Sequence, residues 1–185
     1  MLGKFPQYIT QPFKISFPIE GFGVYALKIK ASCKSGDLLG FRGGQDLHIE
    51  IDDNKLREIP PKEKPQYNNI PPAWNGTELK GLDKTVVFIL ALNKGLHSLT
   101  FVPTKGAKVE SFEVIAINDL KKIVFELNDQ AKDGDKRPWY TFAFINLPLQ
   151  LLIADISVSW HFLDGDDIKL IIDNQIEENV QSKLW

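Results

Sequence analysis

The chain has 185 residues, of which 43% are hydrophobic and 25% are charged, and its net charge at pH 7 is −2. Near-balanced charge disfavours nucleic-acid binding through phosphate neutralisation, and the longest apolar run, Thr85–Leu92, is too short to span a bilayer. With one cysteine, Cys33, we expect neither an internal disulfide nor a cysteine-based metal site. The first residues lack the apolar core of a signal peptide, and the compartment is left open.

Strand patterns dominate the chain. Val24–Ser32 alternates apolar residues with Lys28 and Lys30, and Asp46–Asp52 alternates three apolar residues with polar ones. A period of two residues is typical of a half-buried strand. Thr85–Leu92 is apolar on both faces, which predicts an inner strand covered on two sides.

Turn residues separate these strands. Pro60–Gly76 holds five of the eleven prolines and is predicted to be a long irregular loop, a kind of segment that is often functional. Further on, Leu96–Val102 and Val109–Ile117 are β-rich, and Pro103–Lys108 between them suits a hairpin turn. Helical periodicity is poor throughout. We therefore predict an all-β protein, an antiparallel β-sandwich of jelly-roll-like type.

One sequence pattern occurs twice in the chain. Gly44–Ile59 and Gly165–Asn179 both open with Gly-x-Asp, continue with alternating apolar residues and run into Asp and acidic residues. We interpret this as a complete module at residues 1–118 followed by a second, similar and incomplete one at residues 119–185. Two explanations stay open, a fragment of a longer multidomain protein, which we favour, and a second half that adds strands to the first sandwich.

The order of four segments resembles the galactose-binding-domain-like β-sandwiches, a group that includes many carbohydrate-binding modules. The segments are Tyr25–Ala31, Asp46–Asn54, Leu92–Phe101 and Val109–Ile117. The resemblance covers residues 12–117 best, and residues 124–185 in part. It implies a jelly-roll-like sandwich that binds a polysaccharide or glycan without catalysis, in an extracellular or cell-surface setting.

The residues that best fit carbohydrate binding lie in the long loop. A sugar ring needs an exposed aromatic plane flanked by polar groups, and these five residues supply both: Tyr67, Asn68, Asn69, Trp74 and Asn75. The alternative is that Trp74 folds back and covers the edge of the sandwich. A solvent-facing Trp74 would favour sugar binding, whereas a buried one would favour a protein-interaction, adhesion or spacer domain.

No other motif points to an active site or a cofactor. The sequence has no nucleophile elbow, zinc-protease motif, P-loop or dinucleotide fingerprint, and we expect no catalytic residues. We interpret His97, Cys33 and Trp160 as structural residues of strand faces. Asp133–Asp135 and Asp164–Asp167 resemble polar turns more than metal sites, although a structural Ca²⁺ ion would suit such carboxylates.

The last expectation concerns the C-terminal part. If the second module lacks its closing strands, apolar strand faces such as Phe142 with Phe144 and Leu170 with Ile172 are uncovered. Uncovered apolar faces drive association. We therefore predict self-association through residues beyond Val124, or greater mobility there.

Overall fold

The computed structural model describes residues 4–36, 44–55, 74–77, 79–125, 140–145, 147, 168–172 and 175–180. Throughout these ranges the regular elements are strands, which confirms the all-β prediction. In the same ranges nothing forms a helix capable of crossing a membrane. The strands are β1 (Gln7–Ile9), β2 (Phe13–Ile19), β3 (Gly23–Ser32), β4 (Asp46–Ile51), β5 (Asn54–Lys55), β6 (Trp74–Asn75), β7 (Lys84–Leu92), β8 (Gly95–Pro103), β9 (Ala107–Ile117), β10 (Tyr140–Ile145), β11 (Ile168–Ile172) and β12 (Gln175–Val180).

The strands form two five-stranded sheets and one small one. Sheet A has the order β1-β9-β3-β7-β10, and sheet B has the order β2-β8-β4-β5 with β6 also paired to β4. Neighbouring strands are antiparallel, as predicted, except that β10 runs parallel to β7. The strands β11 and β12 pair with each other in an antiparallel two-stranded sheet.

The main core lies between sheets A and B. Alternate residues of β2, β3, β4 and β8 are buried, as the period-two patterns predict. Phe17 of sheet B meets Phe112 of sheet A edge to face, with ring centroids 5.5 Å apart. Such contacts join two sheets into a sandwich, because each sheet then buries one apolar face.

A β-bulge sets the register of β9. Lys30 pairs with Ser111, but the next residue, Ala31, pairs with Val109, so Glu110 is an extra residue on β9. Strict alternation would send Val109 and Phe112 to opposite faces. Because of the bulge, both are buried in the main core.

Strand β7 is buried on both faces, which confirms the prediction of an inner strand. On its inner face Phe88 belongs to the main core. On its outer face Val87 and Ile89 form a second cluster with Val24 and Ala26 of β3. The outer face of sheet A is therefore apolar and buried at these four positions, whereas Lys28 and Lys30 of β3 lie on the same face, paired with Val87 and Thr85.

The prediction of a hairpin at Pro103–Lys108 is wrong. β8 belongs to sheet B and β9 belongs to sheet A, so this segment connects the two sheets. Proline and glycine indicate that the chain turns, but they do not determine which sheet the next strand joins.

The C-terminal part contributes to the first sheet. β10 lies in the predicted second module, yet it pairs with β7 along its whole length, from Tyr140 opposite Thr85 to Ile145 opposite Leu90. A boundary at residue 118 thus does not separate sheet A from the C-terminal residues, and the second half adds a strand to it. In both copies of the repeated sequence pattern a strand, β4 or β11, is followed by a two-residue connection. Ile51 pairs with Asn54 in the first copy, and Ile172 pairs with Gln175 in the second. Their origin as a tandem repeat stays a prediction.

Candidate functional site

Trp74 is a core residue. It pairs directly with Leu47 of β4, and because paired residues share a face of the sheet, both side chains enter the core. Its exposed fraction is 0%, and its indole N–H donates a hydrogen bond to the Lys84 carbonyl oxygen at 2.8 Å. The expectation that Trp74 offers its ring to a sugar is corrected, because two residues of pairing at β6 turn the ring inward.

Of the other four predicted sugar-binding residues, Asn75 lies within the described ranges and three lie outside them. Asn75 is half-buried in β6, where it pairs with Asp46, and its carbonyl oxygen accepts a hydrogen bond from the Leu79 amide at 2.9 Å. Tyr67, Asn68 and Asn69 lie outside the described residues. Their role stays a prediction, and Trp74 does not bring an exposed ring to them.

Three chain segments meet at Gly76, directly after β6. The Gly76 amide donates to the Gln45 carbonyl at 2.8 Å, and the Gln45 amide donates to the Lys34 carbonyl at 3.0 Å. A Cβ atom at Gly76 would collide with the backbone oxygens of Cys33, Lys34 and Gln45. Only glycine allows this approach, so residue 76 fixes the ends of the segments that follow β3 and precede β4 and β7.

The ionisable groups next to this junction do not form a reactive site. Burial, with a smaller contribution from the negative charge of Asp46, raises the pKa of the Cys33 thiol to about 12. A thiol with that pKa stays protonated at neutral pH and is a poor nucleophile. Burial also raises the pKa of the Asp46 carboxyl, although the Gly76 amide and His48 act in the opposite direction. The prediction that Cys33 is a buried structural residue is confirmed.

Metal ligands are not grouped in the part of the chain that the structure describes. Within those residues, no three His, Cys, Asp or Glu side chains lie close enough to hold an ion. The acidic segments Asp133–Asp135 and Asp164–Asp167 lie outside the described residues.

The opposite end of the sandwich carries a polar cluster centred on His97. Its ring contacts the Asp52 carboxylate and the Asn93 carbonyl oxygen, which agrees with the interpretation of His97 as a structural residue. Lys14 forms an ion pair with the neighbouring Asp53 at 2.7 Å. The β2–β3 turn ends at this same side of the sheets, and it carries Phe22 with 78% of its surface exposed.

Sequence reasoning did not single out Phe22. Its exposure could have been predicted from its position between Gly21 and Gly23 in a turn between two strands, because no alternation forces the ring inward there. The Tyr25 hydroxyl donates to the Gly21 carbonyl at 2.8 Å and braces this turn.

A second exposed apolar surface lies on the outer side of sheet A. Phe142 and Phe144 on β10 are 37% and 51% exposed. Phe142 packs against Phe125 and Tyr140, with ring centroids 5.1 and 5.2 Å apart. Three further exposed apolar residues belong to β9 and the segment after it: Ile115, Leu120 and Val124. We call Phe142, Phe144 and Ile115, with Phe125 and Tyr140, the outer patch, because strand pairing or packing places these residues on the face of Ala26, Val87 and Ile89.

The chain was compared with protein-family models, curated proteins and solved structures, and none of the three comparisons found a match. The resemblance to galactose-binding-like domains therefore depends on the four sequence segments alone.

Proposed function

We propose that this chain is a non-catalytic β-sandwich module that binds protein through the outer patch. The observation that carries the proposal is the pair of exposed phenylalanines on β10, beside an apolar cluster that is otherwise buried. Single exposed apolar residues are ordinary, but aromatic residues grouped on one face are typical of protein interfaces. A second copy of the chain offers the same apolar surface, and the partner in this proposal is a second copy.

The burial of Trp74 supports the same choice. An aromatic platform for sugar needs polar groups beside an exposed ring, and Trp74 is enclosed in the core. Phe142 instead has the rings of Phe125 and Tyr140 as its neighbours. Apolar neighbours favour contact with another apolar surface, which releases water from both.

Sedimentation velocity over a range of protein concentrations tests the proposal. We expect the wild-type chain to associate as its concentration rises, and Phe144→Asp to reduce that association. The matched control is Phe22→Asp, which places the same charge at a more exposed phenylalanine outside the patch. A wild-type chain that stays monomeric at the highest attainable concentration would overturn the proposal, as would equal association in both variants.

Carbohydrate binding is the second candidate, and a specific observation favours it. Phe22 is a highly exposed ring in the turn before β3, and the same end of the sandwich carries Asp53, which forms an ion pair with Lys14, and the Asn93 turn. Affinity electrophoresis through gels that contain different polysaccharides tests this candidate. We expect retardation that Phe22→Ala abolishes if the turn binds sugar, or that Tyr67→Ala abolishes if the long loop does. Unretarded wild-type protein in every gel would exclude both sites for the polysaccharides used.

A further inference from the structure

The imidazole of His97 lies between two hydrogen-bond acceptors. Nδ1 is 2.6 Å from Oδ2 of Asp52, and Nε2 is 2.8 Å from the backbone oxygen of Asn93. A carboxylate and a carbonyl oxygen can only accept, so each contact is a hydrogen bond only when the ring nitrogen carries a proton. The arrangement therefore requires the doubly protonated, positively charged ring.

The two acceptors belong to different turns. Asp52 opens the two-residue turn between β4 and β5, where its φ of 49° lies in the left-handed region. Its Oδ1 accepts from the Ser98 amide at 2.8 Å, and its own amide donates to the Ser98 carbonyl at 3.0 Å. Asn93 lies in the turn between β7 and β8. His97 thus connects one turn of sheet B to the connection between the two sheets.

An aromatic ring and charged groups from neighbouring elements surround the His97 ring. Phe17 of β2 stacks on it, with ring centroids 5.9 Å apart and planes 29° apart. Asp52 is the charged group whose field acts on the ring. Lys14 of β2 acts on Asp52 in turn, and it is paired with Asp53.

We propose that Asp52, His97 and Asn93 form a pH-sensitive latch, which holds the two turns together while His97 is protonated and releases the Asn93–Gly95 turn when the ring loses its proton. A neutral imidazole keeps one N–H group. The bond to the Asp52 carboxylate is charge-assisted and retains that proton better than a bond to a neutral carbonyl. The lone pair of Nε2 then faces the Asn93 oxygen, and the two acceptors repel each other.

The direction of each pKa shift defines the pH range of the latch. Partial burial lowers the pKa of His97, but the bond to Asn93 and the bond and charge of Asp52 together raise it above 6.5. The stabilisation from the latch is therefore complete below about pH 6.5, the unfolded-state value, and is lost as the pH rises through the folded-state pKa.

Asp52 limits the latch on the acid side. Desolvation raises the pKa of this carboxyl, but the Ser98 amide, His97 and Lys14 outweigh it and lower the pKa below 3.8. Its contribution is present above about pH 3.9 and is lost as the pH falls through the folded-state value. The latch thus makes its full contribution between about pH 4 and 6.5, and it opens only beyond the folded-state pKa values of Asp52 and His97.

A pH titration followed by NMR tests the latch. In the wild type we expect the His97 ring signals to have a midpoint above 6.5, and the backbone amide signals of Asn93–Gly95 to shift with the same midpoint. Asp52→Asn should lower the His97 midpoint. In His97→Gln the turn signals should lose that titration, whereas His48→Gln, which removes a histidine from β4, should keep it.

Two results would overturn the latch. One is a His97 midpoint at or below 6.5 in the wild type, a measurement that requires no variant to fold. The other is a set of Asn93–Gly95 signals that titrate in His97→Gln as they do in the wild type.

Discussion

The two faces of sheet A bury their apolar residues to different degrees. On the inner face, Phe88 and its neighbours are enclosed by sheet B, and the main core continues to both edges of the sandwich. On the outer face, Val87 and Ile89 are buried in the second cluster, but Phe142 and Phe144 of the next strand are exposed. The same alternation thus gives a closed core where a second sheet covers it, and an exposed apolar surface at Phe142 and Phe144.

The largest expected effect compares two phenylalanines of sheet A. Phe88→Ala on the inner face should lower the free energy of unfolding by about 3–5 kcal/mol, because it leaves a cavity in a packed core. Phe144→Ala on the outer face should change it by no more than about 0.5 kcal/mol in the monomer. Urea unfolding of dilute samples measures both values. Equal losses would show that the outer face is as closed as the inner one.

The next prediction concerns the close backbone packing at Gly76, directly after β6. Gly76→Ala should cost at least about 1–3 kcal/mol, since the new methyl group meets three backbone oxygens that no rotamer change can move. Gly21→Ala is the matched control, because a Cβ atom there has nothing within 4 Å. Thermal unfolding of the two variants gives the comparison. If both midpoints are unchanged, the backbone around Gly76 is packed more loosely than these three contacts require.

Trp74→Phe tests the buried indole hydrogen bond of the neighbouring core residue, and we expect a smaller effect. The substitution keeps an aromatic ring in the core but removes the indole N–H, which leaves the buried Lys84 carbonyl oxygen without that donor. Loss of one hydrogen bond of this kind costs about 0.5–1.5 kcal/mol. Chemical denaturation should detect the loss. An unchanged stability together with lost binding to a polysaccharide would instead return Trp74 to a ligand-binding role.

The smallest expected effect lies in the turn between β4 and β5. Asp53 has a φ of 62°, a left-handed conformation that glycine adopts more readily. Asp53→Gly should therefore stabilise the chain by up to about 1 kcal/mol, reduced by the loss of the exposed ion pair with Lys14. Asp53→Val should destabilise it, because a β-branched residue is strained at this φ. A reversed order of the two variants would contradict the turn geometry.

Much of the sandwich could be predicted from the sequence because strand alternation reports burial directly. The patterns of β3, β4 and β7 give the correct faces, and β7 gives its burial on both sides. The bulge at Glu110 and the connection from β8 to β9 could not be predicted. Both depend on which strand a segment joins, and local residue types carry no information about that partner.

The candidate site was harder to predict, for two physical reasons. A tryptophan among prolines and asparagines has no alternation to assign it a face, and the pairing of Trp74 with Leu47 is a long-range contact. Exposure of Phe144 depends in turn on what covers sheet A beyond β7. The sequence did indicate uncovered apolar residues at Phe142 and Phe144, because they alternate on a strand whose closing neighbours were not evident.

The central claim is that a partner surface covers the outer patch. Amide hydrogen exchange of β10, measured at low and high protein concentration, tests it most directly. We predict that exchange through Tyr140–Ile145 slows as the concentration rises, while exchange in the inner strands β3 and β8 stays constant. Phe144→Asp should remove the concentration dependence, and Phe22→Asp should retain it. Exchange of β10 that is the same at both concentrations in the wild type would contradict the claim.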